Sequence, residues 1–339
     1  MKDYLGDTAF SEDPWAESSP ESEGMDPAPL LNGLEDIESR GLGVHSLLVV
    51  RNGRSVLDRY GVEEGRQLTP ADLRLLHSTT KTMTSMLVGI AIGEGKIPSL
   101  KTRAAEYFEA GEVEDRSPAK DIITLEDLLT MRSGLDYSEG VTDNSKAFAS
   151  ECAARVILSR PIVAEPGTQW NYSTADSQIL AEIVRRATGK TPLEYATERI
   201  LTPLGIREVQ WSADRGGTNV GGSRLYLRPR DLARFGWMLL SGGRSGDEQL
   251  VPEAWIESAT RQHVLATTGY VVDEGYGYHC WMPSFGGFAT RGYMGQNMYV
   301  LPELRLVVVF TGLVKPSETA DTTLDRLMST FILPAVRSA

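Results

Sequence analysis

The stretch LLHSTTKTMTSMLVGIAIGEGKI, Leu75 to Ile97, opens with hydroxyls, one histidine and one lysine, then turns apolar at helical spacing. That spacing predicts a buried helix. Ser78 and Lys81 stand at i and i+3 on one face of its first turn, so the amine can reach the hydroxyl. A serine hydroxyl is a poor nucleophile until a neighbour takes its proton. A partly buried lysine, its pKa lowered by desolvation, can be that neighbour. The helix N-terminus also offers free N–H groups and a positive dipole end to a developing oxyanion. The plainer reading of the same residues is that Ser78 is an N-cap and Lys81 is solvated.

Ser-x-x-Lys by itself is a weak pattern, and it occurs twice. The second copy, Ser117 to Lys120, lies in GEVEDRSPAKD with no apolar helix behind it, and reads as a surface turn. Metal ligation has little support. The four histidines, His45, His77, His263 and His279, form no i, i+4 pair and no zinc-type Cys/His motif. GLGVHS lacks the third glycine of a dinucleotide fingerprint, GEGKI is not a P-loop, and no G-x-S-x-G elbow occurs.

Outward from the stretch, HSLLVVRNGRSVLDRYG holds two apolar runs joined by Asn-Gly, which predicts an antiparallel hairpin. LLNGLEDIESRG before it is helical. After it the chain is mostly helical to about Ile200. ITLEDLLTMRSGL opens with a Thr124–Asp127 capping box and stops at Gly134. STADSQILAEIVRRATGK, TPLEYATERILTPLGI and LRPRDLARFGWMLLSGG read as further helices. From GYGYHCWM through GFATRGYMGQNMYVLP to LRLVVVFTG the period becomes two, as in sheet strands, and TLDRLMSTFILPAV closes as a helix. Strands, then helices, then strands predict an α+β fold. Its antiparallel sheet, flanked by helices, is built from both chain ends, with a helical lobe inserted. The expected division is an arm over 1–26, an α/β lobe from 27–74 and 222–339, and a helical lobe over 75–221. A cleft between two lobes is a common place for an active site.

The chain has 339 residues and a formal net charge of −12. That balance argues against nucleic acid and anionic membrane as partners. The acidic, Ser- and Pro-rich start reads as an extended arm lying on the fold, or as partly disordered. With no signal-like segment and no 18-residue apolar run, a cytoplasmic protein is expected. Cys152 and Cys280 belong to no CxxC and read as free, half-buried thiols.

Six blocks in order resemble the serine β-lactamase-like superfamily: HSTTKTMTSMLVGIAIGEGKI, ITLEDLLTMRSGL, PGTQWNYSTADSQILAEIVRRATG, PLGI, LRPRDLARFGWMLLSGG and RGYMGQNMYVLPELRLVVVFTG. The likeness is to its class C, esterase and nylon-oligomer hydrolase branch, over roughly residues 15–335. It implies a β-lactamase/transpeptidase-like fold with Ser78 as nucleophile and Lys81 as proton acceptor. Its Tyr-x-Asn motif falls on Tyr172-Ser173-Thr174. Tyr172 is then implied as general base with Lys81 and as acid toward the leaving group, while Thr174 replaces the asparagine that holds the lysine and the substrate amide. Its Lys/His-Thr-Gly motif falls on Thr290-Arg291-Gly292. Gly292 is implied to let substrate approach the strand, and the N–H groups of Ser78 and Tyr293 to form the oxyanion hole. Arg291 is the candidate to replace the missing carboxylate-binding lysine, although neighbouring strand residues point to opposite faces.

Other positions have two readings. Tyr137, Trp170 and Trp281 line a substrate pocket or are ordinary packing. Gln296 hydrogen-bonds near the site or closes a strand. His77 packs or caps. GLDYSEGVTDNSKAF suits a cleft-edge loop. The expected activity is hydrolysis of small carboxylic esters through an acyl-enzyme, without cofactor or metal. Amide or weak β-lactam hydrolysis, or acyl transfer, is a side activity. Two rivals stand beside it: a β-lactamase or D-amino-acid or amide-oligomer hydrolase anchored by Arg291, and a catalytically silent relative that binds a ligand or itself.

Overall fold

The computed structural model describes residues 15–109, 111–139, 142, 144–268, 274–314 and 320–337. Its centre is an eight-stranded antiparallel sheet drawn from both ends of the chain. The strands are β1 (Val44–Arg51), β2 (Arg54–Tyr60), β3 (Val264–Ala266), β4 (Glu274–Tyr276), β5 (Trp281–Met282), β6 (Phe288–Thr290), β7 (Asn297–Leu301) and β8 (Leu306–Gly312). They lie in the order β3-β4-β5-β6-β7-β8-β1-β2. The hairpin between β1 and β2 turns at Asn52 and Gly53, both with positive φ, as the Asn-Gly pair requires.

Alternation along β1 and β8 divides the interior. Leu48, Val50, Val307 and Val309 join one apolar cluster, while Leu47, Val49, Val308 and Phe310 join another. Both faces of these central strands are therefore covered, which is why they read as continuous apolar runs. On one face pack α1 (Pro27–Ser39) and the closing segment that begins with α7 (Ala320–Leu327). On the other packs α6 (Pro229–Leu240), which joins the helical part of the chain. That part contains α2 (Thr80–Gly93), α3 (Leu125–Leu129), α4 (Ala153–Leu158) and α5 (Thr174–Thr188), with α5 against α2, α3 and α4.

Several boundaries differ from expectation. The capping box of Thr124 and Asp127 is present, but α3 ends at Leu129 and not near Gly134. Thr130 donates to the Glu126 carbonyl, and Met131 takes a φ of 59° that no helix continues. TPLEYATERIL is helical over Pro192–Ala196 and winds on as π-turns over Thr197–Leu201. Where it is described, the N-terminal arm lies on the fold, and Ala16–Ser18 runs alongside Ser55 as a bridged pair. Trp15 is buried edge-on against Trp237, Met25 is buried, and Asp26 caps α1. Residues 1–14 lie outside the described residues. Cys152 and Cys280 are free, buried thiols. No helix among the described residues is long and apolar enough to cross a membrane.

Candidate active site

Leu76 ends a short pairing of Arg74–Leu75 with Leu225–Leu227, and the chain then turns sharply. His77 takes a φ of 47°, costly for a residue with a side chain, and begins a single 3-10 turn, His77–Thr79, that runs into α2. Ser78 is half-buried at this mouth. Thr79 is fixed from behind, its hydroxyl 2.6 Å from the Gln296 carbonyl oxygen and 3.0 Å from the Thr290 hydroxyl. The position that the family motif gives to lysine is thus a threonine bonded into the base of the nucleophile turn.

Lys81 is 2 % exposed. Its Nζ donates to Ser78 Oγ at 3.0 Å, to Thr174 Oγ1 at 2.9 Å and to the Gly222 carbonyl at 3.0 Å. The Tyr172 ring lies over it, 4.8 Å from centroid to Nζ. Burial pulls the ammonium down to about 8, with the charge of Glu139 resisting the fall. Thr174 therefore keeps the lysine-holding contact of the asparagine it replaces. It can do so because α5 starts there: Ser173 is the N-cap, accepting from Asp176 N–H, and Thr174 is the first helical residue. Gly222 completes the cradle. A Cβ at this position would sit 2.7 Å from Thr174 Cγ2, so a larger residue would push its carbonyl away from Lys81.

The turn after β6 comes up against the backbone that leads into Ser78. Gly292 lies against Leu76, and a Cβ there would meet the Leu76 carbonyl oxygen at 2.4 Å. This close approach sets Tyr293 beside the nucleophile turn, its ring edge-on to His77 at 5.5 Å. The Tyr293 N–H meets no acceptor among the described residues. His77 packs here, and burial together with the Lys81 charge disfavours its protonation.

Trp170, Tyr172 and Trp281 stand together with centroids 5.8 to 6.2 Å apart. Trp281 is buried and leans on Tyr276, whereas Trp170 and Tyr172 are half-buried. Tyr137 is buried, its hydroxyl donating to Glu139 and accepting from Asn144.

Two sequence candidates for substrate binding are bonded within the protein. The Arg291 guanidinium is 5 % exposed and is paired with Glu274 on β4 and Asp325 on α7, so it does not replace the missing carboxylate anchor. The Gln296 side chain is buried and holds the β8 end through the Gly312 carbonyl at 2.6 Å, while its backbone carbonyl accepts from Thr79 next to Ser78, so both of its readings are met.

Three contributors went unread in the sequence. Gly222 could not be found, since nothing local marks a carbonyl that a distant lysine will need. Asp176 had a signal in Ser-x-x-Asp at the start of a helix. It is fully buried, accepts from the Ser133 and Ser173 hydroxyls at 2.8 and 2.9 Å, and is pushed up to about 7 by that burial. Glu139 lay inside the segment expected as a cleft-edge loop, but without an assigned role.

The Beta-lactamase family model matches residues 33–328. The 6-aminohexanoate-dimer hydrolase of Paenarthrobacter ureafaciens is 25 % identical over 312 residues, 83 % of this chain and 76 % of that protein. Esterase EstB of Burkholderia gladioli is 29 % identical over 180 residues, 48 % of this chain and 44 % of that protein, so this match spans less than half of its length. Among solved structures, a family VIII carboxylesterase superposes with a TM-score of 0.76 at 18 % identity, covering 94 % of this chain and 98 % of that one.

Proposed function

The chain belongs to the Beta-lactamase family and is a serine hydrolase, and from that premise we propose that it cleaves small carboxylic esters through an acyl-enzyme on Ser78, with amides as slower substrates. The observation that carries the assignment is the bond between buried Lys81 and Ser78. A neutral amine has two protons and one lone pair. With its protons given to Thr174 Oγ1 and the Gly222 carbonyl, the lone pair is left to accept the Ser78 proton. The same two acceptors hold the amine in place, so no reorganisation is needed when the proton moves.

Ser78 Oγ attacks the substrate carbonyl carbon as its proton passes to Lys81. The oxyanion is received by the N–H groups of Ser78 and Tyr293. Tyr172, whose ring lies over the Lys81 amine, gives its phenolic proton to the departing alcohol or amine and recovers one from the Lys81 ammonium, and the acyl group stays on Ser78. Water attacks the ester so formed, and its proton returns along the same route. The half-buried faces of Trp170 and Tyr172 give the acyl or leaving group an apolar wall. Committed to two carboxylates, Arg291 is not the free cation that a β-lactamase or D-alanyl peptidase reading would assign to the cleft.

The test is a set of initial rates on a short-chain p-nitrophenyl ester, a chromogenic cephalosporin and a linear amide oligomer, for wild type and Ser78→Ala. Ester turnover that is fastest in wild type and lost in the variant is expected. A dominant cephalosporin or amide rate, equally lost, would keep the mechanism and change the substrate. Rates indifferent to the substitution would remove Ser78 from the chemistry.

A further inference from the structure

Glu139 lies on the segment between α3 and α4, and its carboxylate turns inward although the residue is exposed. Oε2 accepts from the Thr174 N–H and from the Tyr137 hydroxyl, each at 3.1 Å. Thr174 is also the residue whose hydroxyl accepts from Lys81. Glu139 and Lys81 therefore grip the backbone and the side chain of one residue, the first of α5. The surroundings hold this carboxylate in place. Asn144 donates to the Tyr137 hydroxyl at 3.2 Å, Arg160 donates to Asn144 at 2.8 Å and lies over the Tyr137 ring, and Asn171 donates to the Tyr137 carbonyl at 2.8 Å.

We propose that Glu139 is the positioning residue of the Ser78–Lys81 pair, fixing the first turn of α5 against the lysine and supplying a negative charge that faces its amine. The inference rests on the reading of Lys81 as proton acceptor. Burial pulls the amine's pKa down, and without an opposing charge it would be a weaker base. The Glu139 anion, bonded to the same residue as the amine, opposes that fall and keeps it closer to neutrality, where a general base is most effective.

The other ionisable groups around Lys81 do not share this part. His77 is disfavoured as a cation by burial and by Lys81 itself. His279, whose Nδ1 lies 3.1 Å from the Lys81 carbonyl, is held neutral by burial at about 3. Asp176 is turned to Ser133 and Ser173, and Arg291 to Glu274 and Asp325. Tyr172 presents its ring face to the amine.

Glu139→Gln keeps the size and one carbonyl oxygen for Thr174 and Tyr137, and removes the charge. The acid limb of kcat/KM on a neutral p-nitrophenyl ester is expected to move down by about half to one pH unit, the size of a screened attraction over such a gap. The plateau should fall a few-fold as the amine becomes a weaker base. Glu139→Asp should return the limb toward wild type. The same displacement should appear when the ε-carbon of Lys81 is titrated by NMR in a Ser78→Ala background, where turnover plays no part. A limb and an NMR midpoint that stay put in Glu139→Gln overturn the proposal, whatever the plateau does. If Ser78→Ala itself retains wild-type turnover, it is the reading of the nucleophile that fails, and the NMR titration still judges Glu139.

Discussion

Arg291 Nη2 donates to both carboxylate oxygens of Glu274, at 2.8 and 3.0 Å, and so takes no part in the cleft. Asp325 accepts from the same nitrogen at 3.0 Å, and the guanidinium lies over Trp281. Arg291→Leu leaves two carboxylates facing each other around a buried gap. A loss of about 2–4 kcal/mol in urea unfolding is expected, below the full value of a buried pair because Asp325 is partly solvated. KM for a neutral ester should stay within about twofold, as no substrate contact is removed. A stable variant that selectively loses anionic substrates would restore Arg291 as a carboxylate anchor.

Thr174 carries one of the three contacts that hold the Lys81 amine. Thr174→Val keeps the shape and deletes the acceptor. Loss of a hydrogen bond to a charged or transiently charged group is worth roughly 1.5–3 kcal/mol, so kcat should fall about 10- to 100-fold. Thr174→Ser should retain most activity. Thr174→Asn, which installs the residue usual in the family motif, should also hold the lysine. Steady-state rates on one ester decide it; a Val variant at wild-type rate would make the contact incidental.

The sheet was legible because its signals are local. Asn52-Gly53 forces a hairpin, and period-two apolar runs such as LVVVF have one way to be buried on both faces. The contact of Ser78 with Lys81 was legible because two residues three apart on one helix face stay together in any packing. What sequence could not supply is the direction of side chains in turns. RGYMGQ read as strand, yet it is a turn between Thr290 and Asn297, and in a turn Arg291 and Gln296 follow no alternation. The Gly222 carbonyl meets Lys81, and the Glu139 carboxylate meets the Thr174 N–H, only through tertiary packing, so no spacing rule marks them.

As the proposed proton acceptor, Lys81 should set the pH dependence of turnover. A neutral amine is the active form, so kcat/KM should rise with pH through a midpoint near the folded value of about 8. The same depression has a sign for stability. Between about 8 and 10.5 the unfolded chain holds a proton that the folded state has released, so this group makes stability rise with pH across that window. Lys81→Arg cannot lose its proton at these pH values and should be nearly inactive. A Lys81→Arg variant with ordinary rates would take lysine out of the proton transfer. Because Asp176 titrates nearby, the limb is best assigned in an Asp176→Asn background, where it should remain.

Asp176 links the two segments that carry the site, since its Oδ1 accepts from Ser133 ahead of Tyr137 and from Ser173 beside Tyr172. Its folded value of about 7 against an ordinary 3.8 means that the folded state keeps a proton which the unfolded chain gives up. The stability tied to that proton is whole below about pH 4 and is lost as pH climbs to 7, by at most about 4 kcal/mol for the full shift. Asp176→Asn keeps an acceptor for both serines and has nothing to titrate. It should match wild type near pH 4.5 and exceed it above pH 7, so that the two urea-unfolding curves diverge with pH. Curves separated by a constant difference at all pH values would mean that Asp176 stays ionised in the fold. The hydroxyls of Ser133 and Ser173 would then be holding a buried anion at the base of the active site.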